Sequence, residues 1–300
     1  MTDPIHLEIA GVFISTTPSN VTITELDPIY QPFRKEENGS SKKADINIEL
    51  EVGKLPPTSQ LPKMLESDQS WSMFRDGDDY VLTSAPSPPS FEQRWQARFN
   101  PECTRVTVYC NDAYVEEVKG SATIMNPVQY PLDQLLMMYH MAQRDGALVH
   151  AAGIKLHGKG LIFPGRSGAG KSTLSRQFPE GSDDLLLLSD DRVMVRKVDD
   201  GYTVFGTPWP GEAGIARNES SSLAGILFIS HAPANEIHEI DPKDALAWLL
   251  PVVSIPWFDA EVMPKLLEFC EALVTNIPTY ELQFQPSVEV ARIIEEYFSL

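Results

Sequence analysis

The chain has 300 residues, 42% of them hydrophobic and 22% charged, the proportions of an ordinary globular protein with room for one large domain or two of usual size. Its formal net charge of −18 is spread along the chain, with 11 basic against 19 acidic side chains in residues 1–130, so neither half offers the basic surface that nucleic acid demands. No run of about eighteen apolar residues is present, so no helical membrane span is expected, and the acidic start MTDPIHLEIAG lacks the basic flank of a secretory signal, which points to a cytoplasmic protein.

Residues 1–125 read as a β-rich accessory domain. His6–Ser15, Val21–Leu26, Asp45–Val52, Trp71–Ser84, Phe91–Phe99 and Thr104–Cys110 are short alternating or β-branched runs broken by Pro, Gly, Asn and Asp. DINIELE, starting at Asp45, alternates almost strictly and predicts a half-buried strand. Arg34–Lys43 is a polar loop, and Leu55–Pro62 and Ala85–Ser90 are proline-rich connections. No catalytic constellation occurs in this part. Cys103, Cys110 and Cys270 are odd in number and form no C-x-x-C pair, which predicts free or buried thiols rather than disulfides or zinc.

Residues 126–300 read as an α/β domain. Pro131–Arg144 carries apolar residues at helical spacing, and a strand-like run, Ala147–Ile154, includes His150. Then comes GLIFPGRSGAGKSTLS, Gly160–Ser175, in which a short apolar strand leads into G-x-x-x-x-G-K-S-T, the spacing of a phosphate-binding loop. Glycines at 165, 168 and 170 let the backbone curl round an anion, so that N–H groups from Ser167 to Thr173 point inward. Gly165, Arg166, Ser167, Gly168, Ala169, Gly170, Lys171, Ser172 and Thr173 are therefore the expected nucleotide-binding residues. Lys171 reaches the outer phosphates, and the Ser172 hydroxyl holds Mg²⁺. A helix from Lys171 to about Phe178, stopped by Pro179, adds its positive end.

Further on, LLLLSDDRVMV reads as a buried strand that delivers Asp190 and Asp191 at its C-terminal end, where open α/β sheets bind ligands. Phosphoryl transfer needs a metal ligand and a proton acceptor, and this pair can supply both. Adjacent strand residues face opposite sides, so one of the two faces the nucleotide, and the sequence leaves open which. Asp199-Asp200-Gly201 marks a hairpin, and GTPWPG followed by Glu212 forms a stiff loop that can project a carboxylate. Strands are expected at Leu223–Ser230, Glu236–Ile240 and near Thr279–Phe284. Helices are expected at Lys243–Leu250, with Asp241-Pro242 as cap and first residue, Glu261–Val274 and Ser287–Phe298. The chain has no LSGGQ-like signature and no N-K-x-D segment, which disfavours an ABC-type ATPase and a GTPase.

HAAGI, GLIFPGRSGAGKSTL and LLLLSDDRVMV together resemble the catalytic domain of the bacterial HPr kinase/phosphorylase family, especially its divergent HPr-kinase-related members, whose fold is similar to phosphoenolpyruvate carboxykinase. By that resemblance His150 matches the upstream catalytic histidine, Gly165–Ser172 the phosphate loop, and Asp190 and Asp191 the aspartates credited with base and metal roles. The family's acidic signature after the hairpin is replaced by FGTPWPGE, where Glu212 stands in for the metal-binding glutamate. The resemblance implies ATP and Mg²⁺ as cofactors and the serine hydroxyl of a protein or peptide as phosphate acceptor, with a homo-oligomer left open. A small-molecule kinase, for example of free serine, and a non-catalytic nucleotide-dependent regulator are the alternatives.

Overall fold

A computed structural model describes the chain except residues 1–3, 20, 25, 37–42, 68–70, 85–91, 179–183, 288 and 299–300. Pro179 as helix stop, the proline-rich connection Ala85–Ser90 and most of the polar loop after Arg34 lie outside the described residues. The chain divides into two compact units, Met1–His140 and Met141–Leu300. The division falls inside the helix α1 (Leu132–Ala142) rather than near residue 125. Most of that helix belongs to the first unit for a packing reason: Tyr139 sits 4.8 Å from the Tyr80 ring and 5.6 Å from Phe99, and Asp133 accepts a buried 2.6 Å hydrogen bond from the Tyr30 hydroxyl.

The first unit is β-rich. Its strands are β1 (Ile5–Ile9), β2 (Val12–Pro18), β3 (Thr22–Ile23), β4 (Ile46–Gly53), β5 (Lys63–Ser67), β6 (Trp71–Asp76), β7 (Asp79–Ser84), β8 (Trp95–Phe99), β9 (Arg105–Asn111), β10 (Glu116–Val118) and β11 (Ser121–Ile124). Eight form one sheet in the order β1-β2-β4-β9-β8-β7-β6-β5, and β10-β11-β3 form a small second sheet. The alternation read in DINIELE appears in β4, where Ile46, Ile48 and Leu50 are buried and Asn47, Glu49 and Glu51 face water. The single run expected over His6–Ser15 is a hairpin, because Ala10 and Gly11 both take positive φ and turn the chain.

The second unit is mixed α/β, with one large sheet and few helices. It contains β12 (Gly146–Leu156), β13 (Lys159–Pro164), α2 (Lys171–Ser175), β14 (Leu185–Ser189), β15 (Arg192–Val198), β16 (Gly201–Gly206), β17 (Ser220–His231), β18 (Glu236–Glu239), α3 (Pro242–Leu249), α4 (Met263–Asn276), β19 (Thr279–Phe284) and α5 (Glu289–Phe298). The Asp199-Asp200 turn joins β15 to β16 as expected. Asp241 caps α3 by accepting from the N–H groups of Lys243 and Asp244.

Pairings run from β12 through β13, β17, β16 and β15 and back to β12, so these strands close on themselves and leave no open edge among them. The strand β12 is long enough to pair with β15 over its first half and with β14 over its second. It therefore carries His150 beside the point where β14 ends and β15 begins. On one side of the sheet Phe163, Leu174, Phe178, Leu227, Leu282, Phe284, Ile294 and Phe298 form a buried cluster that seats α2 and α5. Among the described residues no helix is long and apolar enough to cross a membrane.

Candidate functional site

The glycine-rich loop begins where β13 ends. The N–H of Gly165 donates to the His150 carbonyl at 3.1 Å, which fastens the start of the loop to the neighbouring strand. Gly168 and Gly170 take φ of +81° and +100°, a region that a side chain strains, so these two positions need glycine. Leu174 is fully buried and pins α2 to the core at the far end of the loop. The N–H groups of Gly168, Gly170, Lys171, Ser172 and Thr173 have no acceptor among the described residues. A turn with several successive free N–H groups is an anion-binding concavity. The helix that follows has five residues, shorter than the expected span to Phe178, so its dipole is small and the loop amides dominate the site.

Lys171 is 6% exposed and its ammonium donates to the carbonyls of Gly165 at 2.8 Å and Arg166 at 3.2 Å. Burial pulls it below the ordinary lysine value, with Asp191 opposing, Arg192 reinforcing and Asp190 opposing. The cation therefore sits at the loop held by two neutral acceptors that an anion can replace.

The two adjacent aspartates part company at the turn between β14 and β15. Asp191 faces a cleft of about 570 Å³ whose lining brings the loop residues Ser167, Gly168, Gly170, Lys171, Ser172 and Thr173 together with Asp191, Gly211 and Glu212. Its Oδ1 lies 2.7 Å from His150 Nε2, which must carry the proton to donate to an ionised carboxylate, and its Oδ2 lies 3.3 Å from Arg192 Nε. His150 and Arg192 are directly paired across β12 and β15, so one cross-strand pair supplies both grips. Burial pushes the Asp191 carboxyl up, but the His150 hydrogen bond and the charges of His150, Arg192 and Lys171 outweigh it and hold the group below the ordinary aspartate value.

Asp190 is fully buried and does not line the cleft. Its carboxylate accepts from the backbone N–H groups of Gly211 at 2.9 Å, Ala213 at 2.7 Å and Ile215 at 3.2 Å. The expectation that Asp190 binds metal or takes a proton at the cleft thus meets a group already engaged on its own chain. Glu212 is exposed, lies on the loop after β16 and lines the same cleft as Ser172. Among the described residues no three His, Cys, Asp or Glu side chains gather at one point.

Of the expected residues, Ser167, Gly168, Gly170, Lys171, Ser172, Thr173, Asp191 and Glu212 are brought together. Gly165, Arg166 and Ala169 shape the loop from outside the cleft, and His150 stands behind Asp191. Sequence reasoning missed Arg192 and Gly211. Arg192 directly follows the aspartate pair, but its role depends on the β12–β15 register, which no local pattern encodes. Gly211 is required because a Cβ there would fall 2.9 Å from Asp190 Oδ2 and 3.0 Å from Asp191 Cβ.

No curated protein matches the chain. Residues 121–298, more than half of its length, match the family described as SynChlorMet cassette protein ScmC. The matched region starts at β11 and takes in the loop, His150, both aspartates and Glu212, while β1 to β10 lie outside it. The chain therefore belongs to the ScmC family.

Proposed function

We propose that this protein is an ATP- and Mg²⁺-dependent kinase that transfers the γ-phosphoryl group to a hydroxyl, that of serine, on a protein or peptide. One observation carries the reading: a loop with free N–H groups and a buried lysine shares one cleft with Asp191, a carboxylate held by His150 and Arg192. The cleft volume of about 570 Å³ suits a nucleotide. The likeness of HAAGI, GLIFPGRSGAGKSTL and LLLLSDDRVMV to HPr-kinase-related enzymes, and with it a phosphoenolpyruvate carboxykinase-like fold, supports the same reading. The formal net charge of −18 favours a protein or peptide over nucleic acid as the acceptor.

In this reading the N–H groups of Gly168 and of Gly170 to Thr173 hold the phosphates, and Lys171 exchanges its carbonyl partners for phosphate oxygens. Ser172 and Glu212 flank the position for Mg²⁺. The fit is to magnesium because it keeps several waters and takes one or two carboxylates beside the substrate phosphates, whereas the cleft offers two carboxylates and no closed cage. Bound there, the metal neutralises charge on the phosphates. Asp191, kept ionised by His150 and Arg192, accepts the proton of the attacking hydroxyl as the new O–P bond forms and the bond to the leaving phosphate breaks.

The test is incubation with γ-labelled ATP, Mg²⁺ and fractionated cell extract. Label should enter a macromolecule with the natural protein and not with Asp191→Asn. Binding of ATP without label in any fraction would sink the kinase reading. Label confined to small molecules would move the acceptor from a peptide to a metabolite.

A further inference from the structure

We propose that Asp190 is a positioning residue, a latch that fixes the Gly211–Ile215 wall of the cleft and with it Glu212, and that it neither binds metal nor takes a proton. The part that concerns activity rests on the kinase reading; the part that concerns the loop does not.

The geometry is that of an anion held by its own chain. Three alternating backbone N–H groups, those of Gly211, Ala213 and Ile215, converge on one fully buried carboxylate at 2.7 to 3.2 Å. Three such donors satisfy most of the accepting capacity of a carboxylate and stabilise its charge without a cation. The loop folds tightly enough for this because Gly214 takes a φ of +69° and its N–H returns to the Gly211 carbonyl at 3.2 Å. Further contacts extend the attachment: Ser189 bridges to Ala216, and the Arg217 N–H donates to the Leu188 carbonyl at 3.1 Å. Residues 211–217 are thus sewn to the end of β14, with Asp190 at the centre of the seam.

Glu212 lies between two of the latched amides, and its own N–H has no acceptor among the described residues. Where its carboxylate reaches is therefore set by Asp190. The aspartate pair divides its work between the two faces of the turn, Asp191 presenting a carboxylate to the cleft and Asp190 building the opposite wall. A magnesium ligand must turn an oxygen toward the cleft, and doing so at Asp190 would strip hydrogen bonds from buried amides.

Amide hydrogen exchange on the full chain tests the latch directly. In the natural protein the amides of Gly211, Ala213 and Ile215 should be protected and that of Glu212 should exchange fast, a reading that needs no variant. In Asp190→Asn only one accepting oxygen remains and the NH2 that replaces the other donates rather than accepts, so exchange should speed about tenfold at the amide or amides that lose their acceptor while β12 and β13 stay protected. Unprotected amides in the natural protein, or unchanged exchange in the variant, would overturn the latch. Gly211→Ala should produce the same loosening.

For activity, Asp190→Asn should leave ATP affinity unchanged and lower kcat up to about a hundredfold, the scale of a misplaced group. It should add little when Glu212→Gln is already present. Additive losses in the double variant would overturn the positioning role. If no acceptor is ever labelled, the kinase reading fails and hydrogen exchange still decides the latch.

Discussion

Replacing Lys171 by methionine separates the cost of a buried cation from its use. The side chain is 6% exposed, so the methionine keeps the packing volume while removing the charge. Two opposing effects act on stability. The ammonium donates to two carbonyls, and a hydrogen bond to a charged group is worth about 1.5–3 kcal/mol. Desolvating the charge costs several kcal/mol, and burial accordingly holds this lysine below its ordinary value. A lysine with a depressed folded value binds its proton less readily in the folded state, so it opposes folding at neutral pH, and that penalty fades as pH rises through the folded value.

The two effects nearly cancel, and Lys171→Met should change unfolding free energy by no more than about 1 kcal/mol in urea titration. Nucleotide affinity should respond very differently. Losing a charge-assisted contact of about 2–3 kcal/mol weakens binding of Mg·ATP about 30- to 150-fold, measurable by calorimetric titration. Unchanged affinity would show that the lysine does not meet the phosphates. An unfolded variant would show that it is a structural cation, and either result refutes the reasoning.

Three more outcomes are expected. Asp191→Asn should bind Mg·ATP like the natural protein and lose phosphoryl transfer, compared by titration and single-turnover assay; equal transfer would remove Asp191 as the base. Gly170→Ala forces a side chain into a φ of +100° and sets its Cβ 3.2 Å from Phe284, so it should cost about 1–2 kcal/mol in denaturant unfolding. Asp191 has a folded value below its unfolded one, so the stability it contributes is present above the unfolded value of about 3.9 and is lost as pH falls through the lower folded value. If the kinase proposal holds, the acid limb of kcat/KM in the natural protein should therefore lie below about pH 4, and His150→Ala, which removes the principal hydrogen bond, should move it upward.

The parts of this site that are local in sequence were legible, and the parts set by tertiary pairing were not. G-x-x-x-x-G-K-S-T names its own loop because glycine spacing is a backbone requirement. The four leucines before Ser189 likewise announce a buried strand end, Thr279–Phe284 is a strand with the expected bounds, and the Asp241-Pro242 cap could be read from two residues. Which aspartate faces the cleft could not be read, because it depends on amides 21 to 25 residues further along that turn back onto Asp190. The grip of His150 and Arg192 on Asp191 depends on a cross-strand register, and the closed circuit of strands depends on the parallel pairing of β13 with β17. The short α2 was overestimated because helical propensity continues past Ser175, whereas the chain turns once Leu174 and Phe178 have reached the core.

The central claim is that the glycine-rich loop cradles the triphosphate of ATP and that Asp191 is the carboxylate presented to the reacting phosphate. A crystal structure with a non-hydrolysable ATP analogue and Mg²⁺ tests it most directly. The phosphates should lie on the N–H groups of Gly168 and of Gly170 to Thr173, with Lys171 drawn off the carbonyls of Gly165 and Arg166, Asp191 facing the γ-phosphate, and Asp190 still on the amides of Gly211, Ala213 and Ile215. A nucleotide bound elsewhere, or Asp190 rather than Asp191 turned toward the γ-phosphate, would contradict it.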